Sequence, residues 1–450
     1  MSQPSLLRNL GLKEAIGIVV GSIIGTGVFL KTATMAQQVG SAQGVMLAWC
    51  AAGALSLMGA LTYAELGGLF PQTGGEYVYL REAYGPLMAY LYGWTRFWIV
   101  TPGSIAAYAI GSATFFNGLV NLGAHRDLVA VFIIAAFTIS NCYSVAFNGK
   151  LQALITVLKV VMIGGLAAAL LLSHSDSGGG EVATHATIWS SFGAAVLSAL
   201  WAFDGWNNLP MAAGEVREPG VVIPHALLWG TMLVLLVYAS ANLGYFHVLP
   251  FADILASSST AHPDALPVAT RAAQSAFGPG AVGLLSIMFV FSAIGAMNGS
   301  MLTGARVPYA MARDGLFFRQ LGRVSERTRV PVLSVAVQGV LAGAMAMLGS
   351  FDQLTDYAMF ASWIFYALMA VALFIFRKKK PEALRPYRTP FYPWLPIFFL
   401  ISSLTLLVDT LRTSPRESGI GFALIAIGIP GYFLFKRSSR SLVPKAGSAL

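Results

Sequence analysis

The chain has 450 residues, 56% of them hydrophobic and only 10% charged. A soluble domain carries about 25% charged residues, so a water-soluble globular protein is excluded. The net charge of +9 gathers in the connectors on one side of a run of apolar segments. That placement excludes a nucleic-acid footprint and marks those connectors as cytoplasmic, with both termini inside.

Apolar runs recur along the whole length, each long enough to cross a hydrocarbon layer of about 30 Å. They predict an all-α polytopic membrane protein with 12 spans, at 15–38, 44–69, 88–117, 126–147, 152–173, 189–213, 224–249, 280–308, 331–349, 353–376, 392–412 and 418–436. The first run lacks a small-residue cleavage site and reads as a mature span. Residues 1–13 and 437–450 form tails, 14–376 the core and 377–436 two peripheral spans. Within the core, 14–173 and 189–376 are two halves of five spans. An odd number of spans per half forces opposite orientations, hence an inverted repeat.

Span one is interrupted by Gly21-Ser22-Ile23-Ile24-Gly25-Thr26-Gly27. Unpaired backbone is costly in hydrocarbon, so a broken span must line a protected cavity. Gly25, Thr26 and Gly27 start a new half-helix, whose free N–H groups and positive dipole end suit a carboxylate. The alternative is close helix packing, since Gly21 and Gly25 also form G-x-x-x-G. The connector after span two, Gly74 to Pro86, reads as an amphipathic helix at the membrane interface, ending at the Gly85-Pro86 pair, or as a solvated connector. Glu65, Glu215 and Arg306 stand near cytoplasmic span ends, either as an inner gate of ion pairs or as solvated interfacial charges. Cys50 and Cys142 both fall within spans and read as small core residues.

Span five holds Lys159 among Val157-Leu158 and Val160-Val161, far from either end. It should face the bundle interior and pair with carbonyls or a carboxylate. Such an ammonium can replace a coupling sodium ion, can release a proton, or can serve as a fixed structural cation. Span six, opening the second half, is interrupted by Phe203-Asp204-Gly205-Trp206-Asn207-Asn208, with Trp201 just before. Its unwound carbonyls can accept from a substrate ammonium. Asp204 is a midspan carboxylate, or simply the cap of the second half-helix. Trp201 or Phe203 closes over a substrate, or both are ordinary core. One anion-binding and one cation-binding half-site describe a zwitterion. The extracellular stretch from Pro250 to Gly280 contains two helix-capable segments that can fold over the entrance as a lid. Span eight carries Ser292, Asn298, Ser300 and Thr303 among glycines, a face toward span one or five, or helix–helix glue. No metal cluster, nucleophile–base pair or phosphate loop stands out, and no cofactor is expected.

Together, Gly21 to Phe29, Tyr63-Ala64-Glu65-Leu66, Thr73-Gly74-Gly75-Glu76-Tyr77 and Phe203 to Asn207 resemble the amino acid–polyamine–organocation superfamily. The nearest similarity is to its L-type transporters and bacterial serine/threonine-exchanger-like members. The resemblance implies a LeuT-like fold with spans one and six broken. It implies Ser22, Gly25, Thr26 and Gly27 around the substrate carboxylate, and the carbonyls of Ile23, Trp201 and Asp204 around its amino group. Trp201 would be the aromatic gate, with Phe203, Gly205, Trp206 and Asn207 lining the pocket. Lys159 would occupy the region of a sodium site and link spans one and eight, which implies sodium-independent transport. The loop Asn117 to Arg126 has no cysteine for a disulfide-linked glycoprotein partner.

The expected protein is therefore an alternating-access carrier of neutral L-amino acids, an exchanger in a cytoplasmic membrane and not an enzyme. The rivals are a proton-coupled cationic amino acid or polyamine carrier, favoured by Asp204, and a membrane receptor or intramembrane enzyme.

Overall fold

A computed structural model describes residues 6–117, 119–120, 125–173, 188–259, 261–262, 265–348, 351–413 and 415–440. Among them there is no strand, only an isolated backbone bridge between Leu10 and Val216. Among the described residues, nine helices are long and apolar enough to span a membrane, ten if the bent pair at the N-terminus counts as one. The protein is a multi-pass membrane protein, its regular structure helical among the described residues.

Helices α1 (Leu12–Ile23) and α2 (Gly27–Val39) form that pair, bent by 40°. Then come α3 (Ala42–Leu69), α4 (Glu76–Tyr84) and α5 (Pro86–Thr95), which runs through a π-turn, Arg96–Val100, into α6 (Thr101–Asn117). Helices α7 (Arg126–Tyr143), α8 (Val145–Leu172) and α9 (Ile188–Ala202) follow, then the short α10 (Asn208–Met211) and the long α11 (Pro219–Val248). Two connector helices, α12 (Phe251–Leu255) and α13 (Val268–Phe277), precede α14 (Ala281–Gly304), α15 (Arg306–Arg313) and α16 (Val332–Leu348). The chain ends with α17 (Phe351–Lys379), α18 (Trp394–Thr413) and α19 (Pro415–Arg440).

Helix α1 is buried between α8, α11 and α14, and α2 lies against α9. The broken elements thus occupy the centre, and the last two helices lie at the periphery, where large apolar residues such as Phe398, Leu404, Phe422 and Leu434 are exposed. Apolar side chains have nothing to gain by hiding from lipid, so the centre is instead where polar groups and glycines gather.

Several local expectations need correcting. The fourth and fifth apolar runs part at Ser144, not beyond Phe147, because Ser144 is extended and its hydroxyl caps α8 by accepting from Phe147 N at 3.3 Å. Helix α4 does end at Gly85-Pro86, but it is no surface helix: Glu76, Tyr77, Tyr79 and Leu80 are buried. Its aromatic residues fit the bundle better than an interface. Cys50 faces outward from α3 instead of into the core, and Cys142 is partly buried. The stretch from Ser175 to Gly180 lies outside the described residues. So do residues 1–5 and 441–450 of the two tails.

Candidate functional site

The break in the first span follows from its sequence. Helix α1 stops at Ile23, Ile24 turns extended, and α2 restarts at Gly27 with Thr26 as its cap. The loosened carbonyls are taken up by neighbours. Lys159 Nζ donates to Gly21 O at 2.9 Å and Ile24 O at 2.6 Å. Ser292 Oγ of α14 points at Gly25 O (2.7 Å) and Ile24 O (3.3 Å). Lys159 is fully buried, as an intramembrane cation must be when its partners are backbone carbonyls. Ser22 Oγ and Thr26 Oγ1 flank the break, buried and with no partner among the described residues. Buried hydroxyls are rarely left so, and a polar ligand at the N-terminus of α2 would satisfy them.

The second break touches the first. Residues Phe203 to Asn207 form successive turns between α9 and α10. Gly205 sits at φ +120°, and a Cβ there would lie 2.8 Å from Ser22 C and O. Only glycine tolerates both the dihedral and the approach. Gly27 lets α2 meet α9 in the same way, since a Cβ there would come within 2.8 Å of Ala202 Cα. Tyr238 of α11 joins the two breaks: its hydroxyl faces Ile23 O at 3.2 Å and Ala202 O at 3.0 Å. The Trp201 carbonyl accepts from Asp204 N at 3.3 Å.

The aromatic residues of the second break divide by direction. Trp201 is partly exposed, with Lys31 Nζ 4.7 Å over its ring. Phe203 is buried against Trp49 and Tyr238, with ring centroids at 5.9 and 5.0 Å. Trp206 packs on Tyr63 and Tyr366, at 4.7 and 5.3 Å. Asp204 accepts from Tyr366 at 2.6 Å, and Asn207 donates to Glu76 at 3.2 Å.

Of the polar residues predicted on span eight, Ser292 is the one that hydrogen-bonds the first break. Asn298 faces the other way and closes a network: it donates to Gln152 Oε1 at 2.7 Å and accepts from Asn141 at 2.9 Å. Ser300 is buried about two turns beyond Ser292 on the same helix. The charges at the N-terminal end of the bundle form two separate groups. Glu215 and Arg306 make a fully buried bidentate pair at 2.8 and 3.0 Å. Glu65 instead holds Arg377 at 2.7 Å and Arg385 at 3.2 Å, and accepts from Thr389 N. Beside the first pair, Leu10 N donates to Glu215 O and Arg217 N to Leu10 O. At the opposite end, Gln37 of α2 donates to Leu255 O at 2.7 Å and Ser259 Oγ at 2.9 Å, tying the connector helices down.

The sequence reading passed over Tyr238, Tyr366, Gln152 and Arg96. Arg96 carried a signal, a cation inside an apolar run. The two tyrosines and Gln152 carried none, since their importance comes only from what they face.

A family model for amino acid permeases matches residues 10–435. The chain is 31% identical to the serine/threonine exchanger SteT of Bacillus subtilis, over 97% of this chain and 98% of that protein. It is 30% identical to the mouse b(0,+)-type amino acid transporter 1, over 96% of this chain and 88% of that one. The human cystine/glutamate transporter is 27% identical, over 96% and 85% of the two chains.

Proposed function

The chain belongs to the amino acid permease family, and from that premise we propose that it is a sodium-independent, alternating-access exchanger of neutral L-amino acids. The superfamily is the amino acid–polyamine–organocation one, and the relatives are transporters, not enzymes. The observation that carries the reading is the pair of orphaned hydroxyls, Ser22 Oγ and Thr26 Oγ1, at the start of α2. With Gly25 and Gly27 they suit a carboxylate, and the carbonyls of Ile23, Trp201 and Asp204 suit the amino group. The ammonium of Lys159 lies on the carbonyls that a cation would otherwise need, which supports sodium independence.

In this reading the fold is LeuT-like. The bent pair makes one span, and the shorter apolar helices Phe192–Ala202 and Val332–Leu348 bring the ten to twelve. The first five spans form one repeat and the next five its inverted partner. Both termini face the cytoplasm, so the Glu215–Arg306 pair and the Leu10 bridge form an inner gate. Trp201, under Lys31, lies toward the outside. With no cysteine between Asn117 and Arg126, the carrier works without a disulfide-linked partner. Asp204 favours a second reading, a cationic substrate or a coupled proton.

The test is uptake of a labelled L-amino-acid panel into sodium-free proteoliposomes, empty or preloaded with unlabelled amino acid. Uptake only after preloading is the expected result. Equal uptake in both rejects exchange, and no uptake in either rejects the transport reading.

A further inference from the structure

Beside the two breaks lies a group of ionisable side chains, Glu76 and Arg96 buried and Asp204 partly so, of which the substrate reading uses only the Asp204 backbone carbonyl. Glu76, the first residue of α4, is wholly buried and accepts from Tyr63 at 2.6 Å, from Tyr92 and from Asn207 at 3.2 Å. Arg96 is also buried. Its Nη2 donates to Asn208 Oδ1 at 3.1 Å and meets Met211 Sδ at 3.2 Å, both neutral, while its Nε has no partner among the described residues. Asp204 accepts from Tyr366, whose ring lies 6.2 Å from that of Tyr63. Glu76, Tyr92, Arg96, Asn207, Ser362 and Tyr366 surround one cavity of about 10 Å³. That is room for a single water molecule.

The charges here do not balance. Two carboxylates, Glu76 and Asp204, lie near one guanidinium. The remaining buried charges of the surrounding helices are engaged elsewhere: Lys159 by the Gly21 and Ile24 carbonyls, Arg306 by Glu215, Glu65 by Arg377 and Arg385. The phenols of Tyr63, Tyr79, Tyr92, Tyr108 and Tyr366 around the cluster add no charge at neutral pH. With both acids ionised, the cluster would carry one negative charge more than Arg96 can compensate, with Glu76 wholly buried and Asp204 partly so. Two carboxylates drawing on one guanidinium compete for it, and a proton on one relieves the conflict. The cluster also bridges elements: Asp204, Asn207 and Asn208 lie at the second break, whereas Glu76, Arg96 and Tyr366 belong to α4, the π-turn and α17.

We propose that Glu76 and Asp204, with Arg96 as their shared counter-charge, bind a single proton between them and release it when the second break moves. The linkage to substrate rests on the transport reading above. Burial holds the Glu76 carboxyl above the usual carboxylate range, against the pull of Arg96 and of its three hydrogen bonds. Opening the inner gate would hydrate the cluster and bring that carboxyl back down. The closed form is thus the proton-holding form, favoured at low pH and lost as pH rises. Substrate arriving from outside meets the closed form, so outward affinity falls with rising pH. One linked proton gives up to a tenfold change per pH unit.

Difference infrared spectroscopy of the purified protein reads the carboxyl C=O stretch directly. The expected result is one protonated-carboxyl band at neutral pH that is lost at high pH and is missing from both Glu76→Gln and Asp204→Asn. In each variant the remaining acid has Arg96 to itself and ionises. If one variant fails to fold, the other decides. A wild-type protein without the band, or a band surviving either substitution, overturns the site. In preloaded proteoliposomes, the half-saturating outside concentration should rise toward tenfold per pH unit for wild type and stay flat for Glu76→Gln. A flat wild-type profile with exchange running overturns the linkage. Absence of exchange rejects the transport reading instead, and the infrared band still decides the proton site.

Discussion

Replacing Glu215 with methionine should uncouple the inner gate. Arg306 would then be fully buried without its carboxylate, and its Nη1 already has no partner among the described residues. Removing one member of a buried pair costs about 3–5 kcal/mol, because the remaining charge is uncompensated. The closed state alone bears that cost, since in the open state Arg306 meets water. At about 1.4 kcal/mol per tenfold, the closed population should fall by between roughly a hundredfold and a few thousandfold. Amino acid exchange into proteoliposomes should fall with it, and so should the thermal midpoint in detergent. Glu215→Met combined with Arg306→Met separates folding from gating. Apolar groups of similar size often replace a buried ion pair with little loss of stability, so the double variant should regain the midpoint but not the exchange. Equal midpoints for the single and double variants would refute the charge argument. Full exchange in the double variant would refute the gate.

Four further outcomes follow from the geometry. Gly25→Val places a branched side chain where even a Cβ would lie 3.2 Å from Tyr108 Cε1; overpacking of about 1–3 kcal/mol should weaken amino acid binding about tenfold or more, and unaltered affinity in a direct binding assay would reject the carboxylate site. Lys159→Ala removes the donor to Gly21 O and Ile24 O, bonds of about 1.5–3 kcal/mol each when charged; the protein should elute as a folded monodisperse species yet exchange at least about tenfold more slowly, and wild-type rates at every pH would take Lys159 out of the mechanism. Gly205→Ala should lower the thermal midpoint and stop exchange, because its φ of +120° adds about 1–3 kcal/mol of strain to a backbone clash; an unmoved midpoint would show that the breaks do not touch. Glu65→Gln should lower the midpoint while leaving the half-saturating concentration within about twofold, since exposure and partners set this clasp apart from the Glu215 pair; a selective change in that concentration would place Glu65 in the gate.

How far the site was legible depended on the kind of signal. The two breaks were readable, because glycine runs inside hydrocarbon-length apolar segments contradict the segments around them. Lys159 was readable because a midspan charge must find partners inside. Which partners it found was not, since the Gly21 and Ile24 carbonyls become acceptors only once α8 crosses α1. The Asn298 side chain, by contrast, turned to Gln152 and Asn141, away from the first break. Helical spacing says which residues share a face but not which neighbour that face meets. Glu76 looked like an interfacial residue, and only its burial against Tyr63, Tyr92 and Asn207 revealed a charge inside the bundle.

The sequence by itself determined the solvent, the element type and where the elements fail. Length and apolarity of the runs are local properties, fixed by a bilayer that satisfies no backbone group. It determined the family as well, through motifs that survive at 31% identity to a serine/threonine exchanger. The pairings waited for the tertiary structure. Tyr238 across both breaks, Arg306 on Glu215 and Tyr366 on Asp204 join residues far apart in the chain. Lipid exerts no hydrophobic pressure to order the helices, so packing and buried hydrogen bonds decide which helices meet, and both are properties of the assembled bundle.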